Sequence, residues 1–144
     1  MERPTFHYNG NPVRAAGILF WTEINGVRWK LLRHYKGKWQ DIGGKTDKKD
    51  GNFMDTAVRE VKEETNNKFL CTDLIYDVLK NPKKTKIQYD AKCKYILFKC
   101  YVEPKLKDVT NFGEHENGKP HRFKWFKKLP KLHFRLRHLF NPMW

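Results

Sequence analysis

Three glutamates, Glu60, Glu63 and Glu64, fall within five residues of one another in the stretch GGKTDKKDGNFMDTAVREVKEETNNKF, Gly43 to Phe69. On a helix that turns about 100° per residue, they share one side, and Met54, Ala57, Val58, Val61 and Thr65 share the other. Glu60 and Glu64 are a like-charge i,i+4 pair, which costs a helix a few tenths of a kcal/mol. A divalent cation would turn that repulsion into a site. Mg²⁺ takes carboxylate oxygens, keeps several waters and commonly bridges to substrate phosphates. Gly43 and Gly44 come just before, where backbone must approach an ion or a phosphate closely.

The chain around this stretch is strongly basic, with 30 Lys and Arg against 16 Asp and Glu, a net charge of +14. That balance suits anionic partners such as nucleotides, polyphosphates, RNA or a membrane surface. Its 144 residues are the length of one domain with a real core, and we expect a single domain over residues 1–144. Hydrophobic residues at 39% and aromatics at 15% argue against disorder. No apolar run is long enough for a transmembrane helix, and MERPTFHYNG has no signal-peptide core. Cys71, Cys93 and Cys100 form no CxxC pair, which argues against a disulfide framework or a zinc site and for a reducing compartment, cytoplasmic or nuclear.

The elements that must position the glutamates follow from periodicity and turn residues. RAAGILFWTEI, Arg14 to Ile24, reads as a strand, Asn25-Gly26 as a hairpin turn, and VRWKLLRHY, Val27 to Tyr35, as the returning strand. KGKWQDI turns at Gly37 into a short strand that ends at Gly43-Gly44, and a polar loop runs from Lys45 to Gly51. A helix follows over about Phe53 to Asn66, with Asn52 as N-cap and Asp55 in a weak capping-box position. Cys71 to Lys80 is expected to be a strand, with a strongly apolar strand around Tyr95 to Val102. EPKLKDVTNFGEHENGKPH reads as a long polar loop, RFKWF as a short strand, and LPKLHFRLRHLF as a closing helix.

The central stretch resembles the Nudix box, G-x5-E-x7-R-E-U-x-E-E-x-G-U with U a bulky apolar residue. Gly44 begins it, Asp50 stands at the first Glu, and Arg59, Glu60, Val61, Lys62, Glu63, Glu64 and Thr65 match without a gap. One residue too many separates Asp50 from Arg59, Asn66 takes the glycine position, and Asn67 replaces the last apolar residue. Asn tolerates a left-handed helix end, so Asn66 can serve for the glycine. Phe69 is the expected source of the missing apolar contact. The departures bear hardest on Asp50, whose shorter side chain and shifted register count against its reach. Outside the box, W-x-x-I-G-G-K before it and EHEN…HRFKWF after it also look like Nudix organisation.

That resemblance implies an α/β (α+β) fold of the Nudix kind: an α/β/α sandwich with a mixed, curved sheet, the box helix and a C-terminal helix packed on it. It implies Glu60 and Glu64 as principal metal ligands, Glu63 as a third ligand or water activator, the Gly44 carbonyl as a further ligand, and Arg59 as the residue that orients the carboxylates. The cofactor implied is Mg²⁺, with Mn²⁺ as a substitute. The reaction implied is attack of activated water on one phosphorus of a pyrophosphate, with metal charge neutralising the phosphate oxygens. Glu114 and Glu116, with His115 between them, sit where the family often places a loop base. For the substrate, basic and aromatic residues interleave in RWKLLRHYKGKW and HRFKWFKK. Tyr35, Trp39 and Trp125, with Trp29 and Phe20, are candidates for stacking a base; Lys36, Lys38 and Lys45 are candidates for phosphates. The expected substrate is a nucleoside di- or triphosphate derivative. Capped or triphosphorylated RNA ends and diphosphoinositol polyphosphates are the rival enzymatic substrates, and a non-catalytic nucleotide- or RNA-binding module is the rival class. The oligomeric state stays open.

Overall fold

The computed structural model describes residues 2–108, 122–133, 136 and 139. Its centre is a hairpin of two long strands, β3 (Ala15–Ile24) and β4 (Val27–Tyr35), preceded by a small hairpin of β1 (Phe6–Tyr8) and β2 (Asn11–Val13). Asn25 and Gly26 both have positive φ, +51° and +78°, the backbone a two-residue turn needs to match the strands' twist. Lys36 and Gly37 repeat that geometry (+49°, +78°) and lead into β5 (Lys38–Gln40) and β6 (Ile42–Lys45). After the helices α1 (Phe53–Glu64) and α2 (Thr72–Leu79), the chain adds β7 (Thr85–Asp90), β8 (Tyr95–Tyr101), a 3₁₀ turn (Pro104–Asp108) and β9 (Phe123–Phe126).

The strand order is β5-β4-β3-β8-β7, with β6 also on β3 and β9 also on β4. All pairs are antiparallel except β3 with β8, so the sheet is mixed. β3 and β4 pair only near their turn, from Trp21↔Lys30 to Ile24↔Val27. Beyond that point they part. β3 carries on against β6, from Ile18↔Ile42 to Ala15↔Lys45, and β4 against β9 and β5. This split brings Gly44 and Arg33 out on different strands that flank the same helix, α1.

The continuous apolar run in β3 is buried on both faces, as expected for a central strand. Ile18 and Phe20 join Leu31, Ile42, Ile96 and Phe98 beneath Ala57, Val58 and Val61 of α1. Leu19 joins Leu32, Leu97 and Tyr95 on the opposite face, where Leu132, Leu136 and Leu139 are also buried. The expected closing helix spans residues that lie mostly outside the described ones. On α1 the apolar stripe is as read, with Thr56 added and Met54 only half-buried.

Cys71 to Lys80, expected as a strand, forms α2 instead. Its β-branched content favours a strand, but Ile75, Val78 and Leu79 recur at helical spacing, and burial of Ile75 and Leu79 against the α1 layer decides the conformation. Two further elements, the β1–β2 hairpin and β7, were not anticipated. No helix among the described residues is long and apolar enough to cross a membrane.

Gly17 marks the tightest crossing in the sheet. A Cβ there would collide with the Tyr95 hydroxyl, the Asp41 carboxylate and the Ile42 carbonyl, where Tyr95 and Asp41 share a buried hydrogen bond. Gly17→Ala is expected to destabilise the fold by about 1–3 kcal/mol, the usual cost of overpacking, read as a lower urea midpoint with an unchanged m-value.

Candidate functional site

The site is built on the face of α1 that meets the end of β6. Asn52 caps the helix as read, its side chain accepting the Asp55 amide at 2.8 Å. Asp55 closes a reciprocal bond one residue earlier than a capping box would, accepting the Gly51 amide at 2.9 Å. At the other end Asn66 and Asn67 both adopt left-handed φ, +52° and +58°, so Asn66 fills the glycine position. Phe69 is buried against Phe20 and Trp125, with ring centres 4.8 and 6.4 Å away, and supplies the apolar contact that Asn67 does not.

Arg59 is the centre of the charge network. Its Nε donates to Asp50 Oδ1 at 2.9 Å and its Nη2 to Asp50 Oδ2 at 3.2 Å and to the Lys45 carbonyl at 2.8 Å. Its Nη1 donates to Glu60 Oε1 at 3.2 Å and to Glu63 Oε1 at 3.3 Å. Burial would lower its pKa, but Asp50, Glu60 and Glu63 together raise it further above its ordinary value.

Asp50 therefore does reach the helix, contrary to the expectation drawn from its length and register. The loop brings it in. The Asp50 amide donates to the Asp47 carbonyl and the Asp47 amide to Asp50 Oδ2, each at 2.9 Å, which closes a tight turn ahead of the helix. Thr56 on α1 donates to the same oxygen at 2.8 Å. Burial alone would raise the Asp50 pKa; the donors from Arg59, the Asp47 amide and Thr56 outweigh it and hold the carboxylate below its ordinary range.

The three glutamates do not converge. Glu60 lies against the Gly44 backbone, where a Cβ would collide with its carboxylate. Glu63 is half-exposed and leans to Arg59. Glu64 turns to Arg33 on β4, with Arg33 Nη2 at 2.9 Å from its Oε2. Among the described residues, no group of three or more His, Cys, Asp or Glu side chains forms a cluster that could hold a metal ion. Two guanidiniums, from Arg59 and Arg33, supply the positive charge between them. The chemistry of the donors nevertheless fits a hard cation: Glu60 and Glu64 are carboxylates one turn apart, and the Gly44 backbone lies beside Glu60 with no side chain between. Burial, with Glu63 and Glu64 nearby, pushes the Glu60 carboxyl up to about 7 despite Arg59. That is the behaviour of a buried anion short of positive charge.

Tyr35, Lys36 and Lys38 lie about the β4–β5 turn; Tyr35 is exposed, with the Arg33 guanidinium 5.1 Å and the Lys36 ammonium 5.2 Å from its ring centre. Trp39 is half-buried against His34 and Phe126, at 4.9 and 4.7 Å. The Lys45 side chain is exposed, and its carbonyl is taken by Arg59. Trp125 and Phe20 are core residues, and Trp29 lies under the Lys107 ammonium at 4.1 Å. Glu114, His115 and Glu116 lie outside the described residues. A groove of about 500 Å³ opens on the other side of α1, lined by Lys49, Asp55, Lys62, Asn67, Thr72 and Tyr76 as well as Arg59 and Glu63. None of the anticipated substrate residues borders it. Arg33 and Thr56 were missed as site residues. Arg33 stood in the basic-aromatic run already singled out, with nothing in its spacing to mark it; Thr56 carried no local signal.

Residues 12–140 match the NUDIX domain. The chain belongs to the Nudix family. Family membership makes it a Nudix pyrophosphohydrolase in general terms, of a family that generally uses divalent metals. No curated protein matches its sequence. Among solved structures, NrtR from Shewanella oneidensis is similar at 13% identity and a TM-score of 0.52, over 87% of this chain and 59% of that one. The same protein complexed with a 27mer DNA aligns at 14% identity and a TM-score of 0.50, over 88% of this chain and 58% of that one. A C. elegans Ap4A hydrolase aligns at 23% identity and a TM-score of 0.41, over 78% of each chain. The NrtR likeness supports the Nudix fold, a mixed curved sheet with two described helices.

The raised Glu60 pKa has a thermodynamic signature in this Nudix domain. Between pH 4.5 and about 7 the folded state holds a proton that the unfolded state has released, so stability falls as pH rises through that window. The Asp50 shift has the opposite sense and acts only as pH falls below its ordinary 3.8, outside this window. Without divalent ions, Glu60→Gln is expected to be destabilised less than wild type between pH 5 and pH 8, by on the order of 2 kcal/mol. Urea titrations at the two pH values measure the difference.

Proposed function

We propose that the chain is a Mg²⁺-dependent Nudix pyrophosphohydrolase acting on a nucleoside di- or triphosphate derivative, with Mn²⁺ as a substitute ion. The observation that carries this reading is the meeting of Glu60 with the bare Gly44 backbone, one turn from Glu64. Glu60, Glu64 and the Gly44 carbonyl would hold the ion, with Glu63 as a further carboxylate. A bound divalent ion would neutralise phosphate oxygens and make a water nucleophilic near neutral pH. In hydrolysis the water oxygen bonds to one phosphorus, the bridging P–O bond breaks with its electron pair going to the leaving phosphate, and the water gives up a proton. Glu114 or Glu116, with His115 as the alternative, would accept that proton.

The chain's own residues do the positioning. Arg59 holds Glu60 and Glu63 in orientation while Asp50 and the Lys45 carbonyl hold Arg59. Lys36, Lys38 and Lys45 would meet phosphates, and exposed Tyr35 or half-buried Trp39 would stack on a base. The core burial of Trp125 argues for a packing role there. The net charge of +14 favours a second reading, in which the substrate is an RNA 5′ end or a diphosphoinositol polyphosphate.

A substrate panel with Mg²⁺ or Mn²⁺ separates these readings. Turnover of nucleoside polyphosphates but not capped RNA or diphosphoinositol polyphosphates is expected, and the reverse pattern would replace the lead substrate. Glu63→Gln and Glu64→Gln are each expected to lose about 100-fold or more in kcat while circular dichroism stays native. Unchanged turnover in both would remove the box helix from the mechanism.

A further inference from the structure

We propose that Tyr76, on α2, is a positioning residue for the box carboxylates and acts through Asp55. The proposal rests on the pyrophosphohydrolase reading of the box. Tyr76 is half-buried where α2 packs beside α1, and its hydroxyl donates to Asp55 Oδ1 at 2.5 Å. The other oxygen of Asp55 accepts the Gly51 amide at 2.9 Å. Among the described residues, no other donor reaches that carboxylate. Asp55 thus ties three pieces together: α2, the first turn of α1 and the peptide that follows Asp50.

That peptide matters because Asp50 anchors Arg59, and Arg59 reaches Glu60 and Glu63. The contacts run without a gap from the Tyr76 hydroxyl to Asp55, to Gly51 and Asp50, to Arg59, and to the two glutamates. Most are hydrogen bonds to a carboxylate, the stronger and more directional kind. Tyr76, Asp55, Asp50, Arg59 and Glu63 also line one solvent-open groove. Side chains on such a wall keep their orientation through these polar contacts, because close packing holds them on one side only. Burial and the Asp55 carboxylate push the Tyr76 hydroxyl up to about 12, so it remains a donor at neutral pH.

Tyr76→Phe removes the donor and keeps the ring. With the substrate identified by the panel and saturating Mg²⁺, kcat is expected to fall about tenfold, the scale of an outer-shell hydrogen bond, with KM within twofold of wild type. Asp55→Asn is expected to lower kcat similarly, and the double variant to be no worse than the poorer single one, as for two residues of one unit. The Arg59 Nε–H resonance is expected to exchange faster with water in both variants. Wild-type kcat in Tyr76→Phe, a purely KM effect, or an unchanged Arg59 resonance would overturn the proposal. Should Tyr76→Phe fail to fold, Asp55→Asn decides by the same readouts. A wild-type protein inactive on every substrate would sink the pyrophosphohydrolase reading, and the Arg59 resonance would still decide whether Tyr76 positions the box.

Discussion

One guanidinium holds the box together. Arg59 touches the end of a strand through Lys45, a loop through Asp50 and its own helix through Glu60 and Glu63. Arginine suits this because its rigid fork carries five donors and stays charged under burial. Without that cation, Asp50 would keep the Thr56 hydroxyl and the Asp47 amide but no ion pair, and Glu60 would lose the Arg59 guanidinium; breaking such buried pairs costs several kcal/mol. Arg59 thus links the loop that carries Asp50, Glu60 beside Gly44 and Glu63 to one cation.

The helix that carries Arg59 works on three sides. Its apolar stripe is buried on the sheet, so the helix cannot rotate without exposing Ala57, Val58 and Val61. Glu60 and Glu64 are thereby turned to the divergent strands, one against Gly44 and the other to Arg33. Asp55 and Glu63 are turned to the groove beside α2. The split between β3 and β4 makes this possible, because a fully paired hairpin would leave no place for β6 and β9 to bring residues beneath the same helix.

Much of this was legible in local sequence because local chemistry controls it. The start of the box helix, the Asn52 cap and the Asn25-Gly26 turn depend on neighbours in the chain, and each formed as read; the helix ends at Glu64, two residues before the expected Asn66. The Cys71 to Lys80 segment did not, because its strand propensity was opposed by a helical burial period that only packing on the α1 layer could reward. Asp50 was judged by side-chain length and register, whereas the Asp47–Asp50 turn moves the backbone to meet Arg59. Trp125 and Phe20 show the limit of composition: an aromatic beside basic residues reads equally as stacking surface or as core, and here burial makes both core.

The sequence by itself determined the box. Which side chains are carboxylates, their spacing along one helix and the glycines before it are covalent facts, and helical geometry turns spacing into a shared face. The tertiary structure decided how those charges are satisfied. Arg33 is far from Glu64 in the chain and next to it in space; Tyr76 reaches Asp55 only because α2 docks where it does. Electrostatic partners depend on distance through space, and a helical period does not encode which strand will lie beneath.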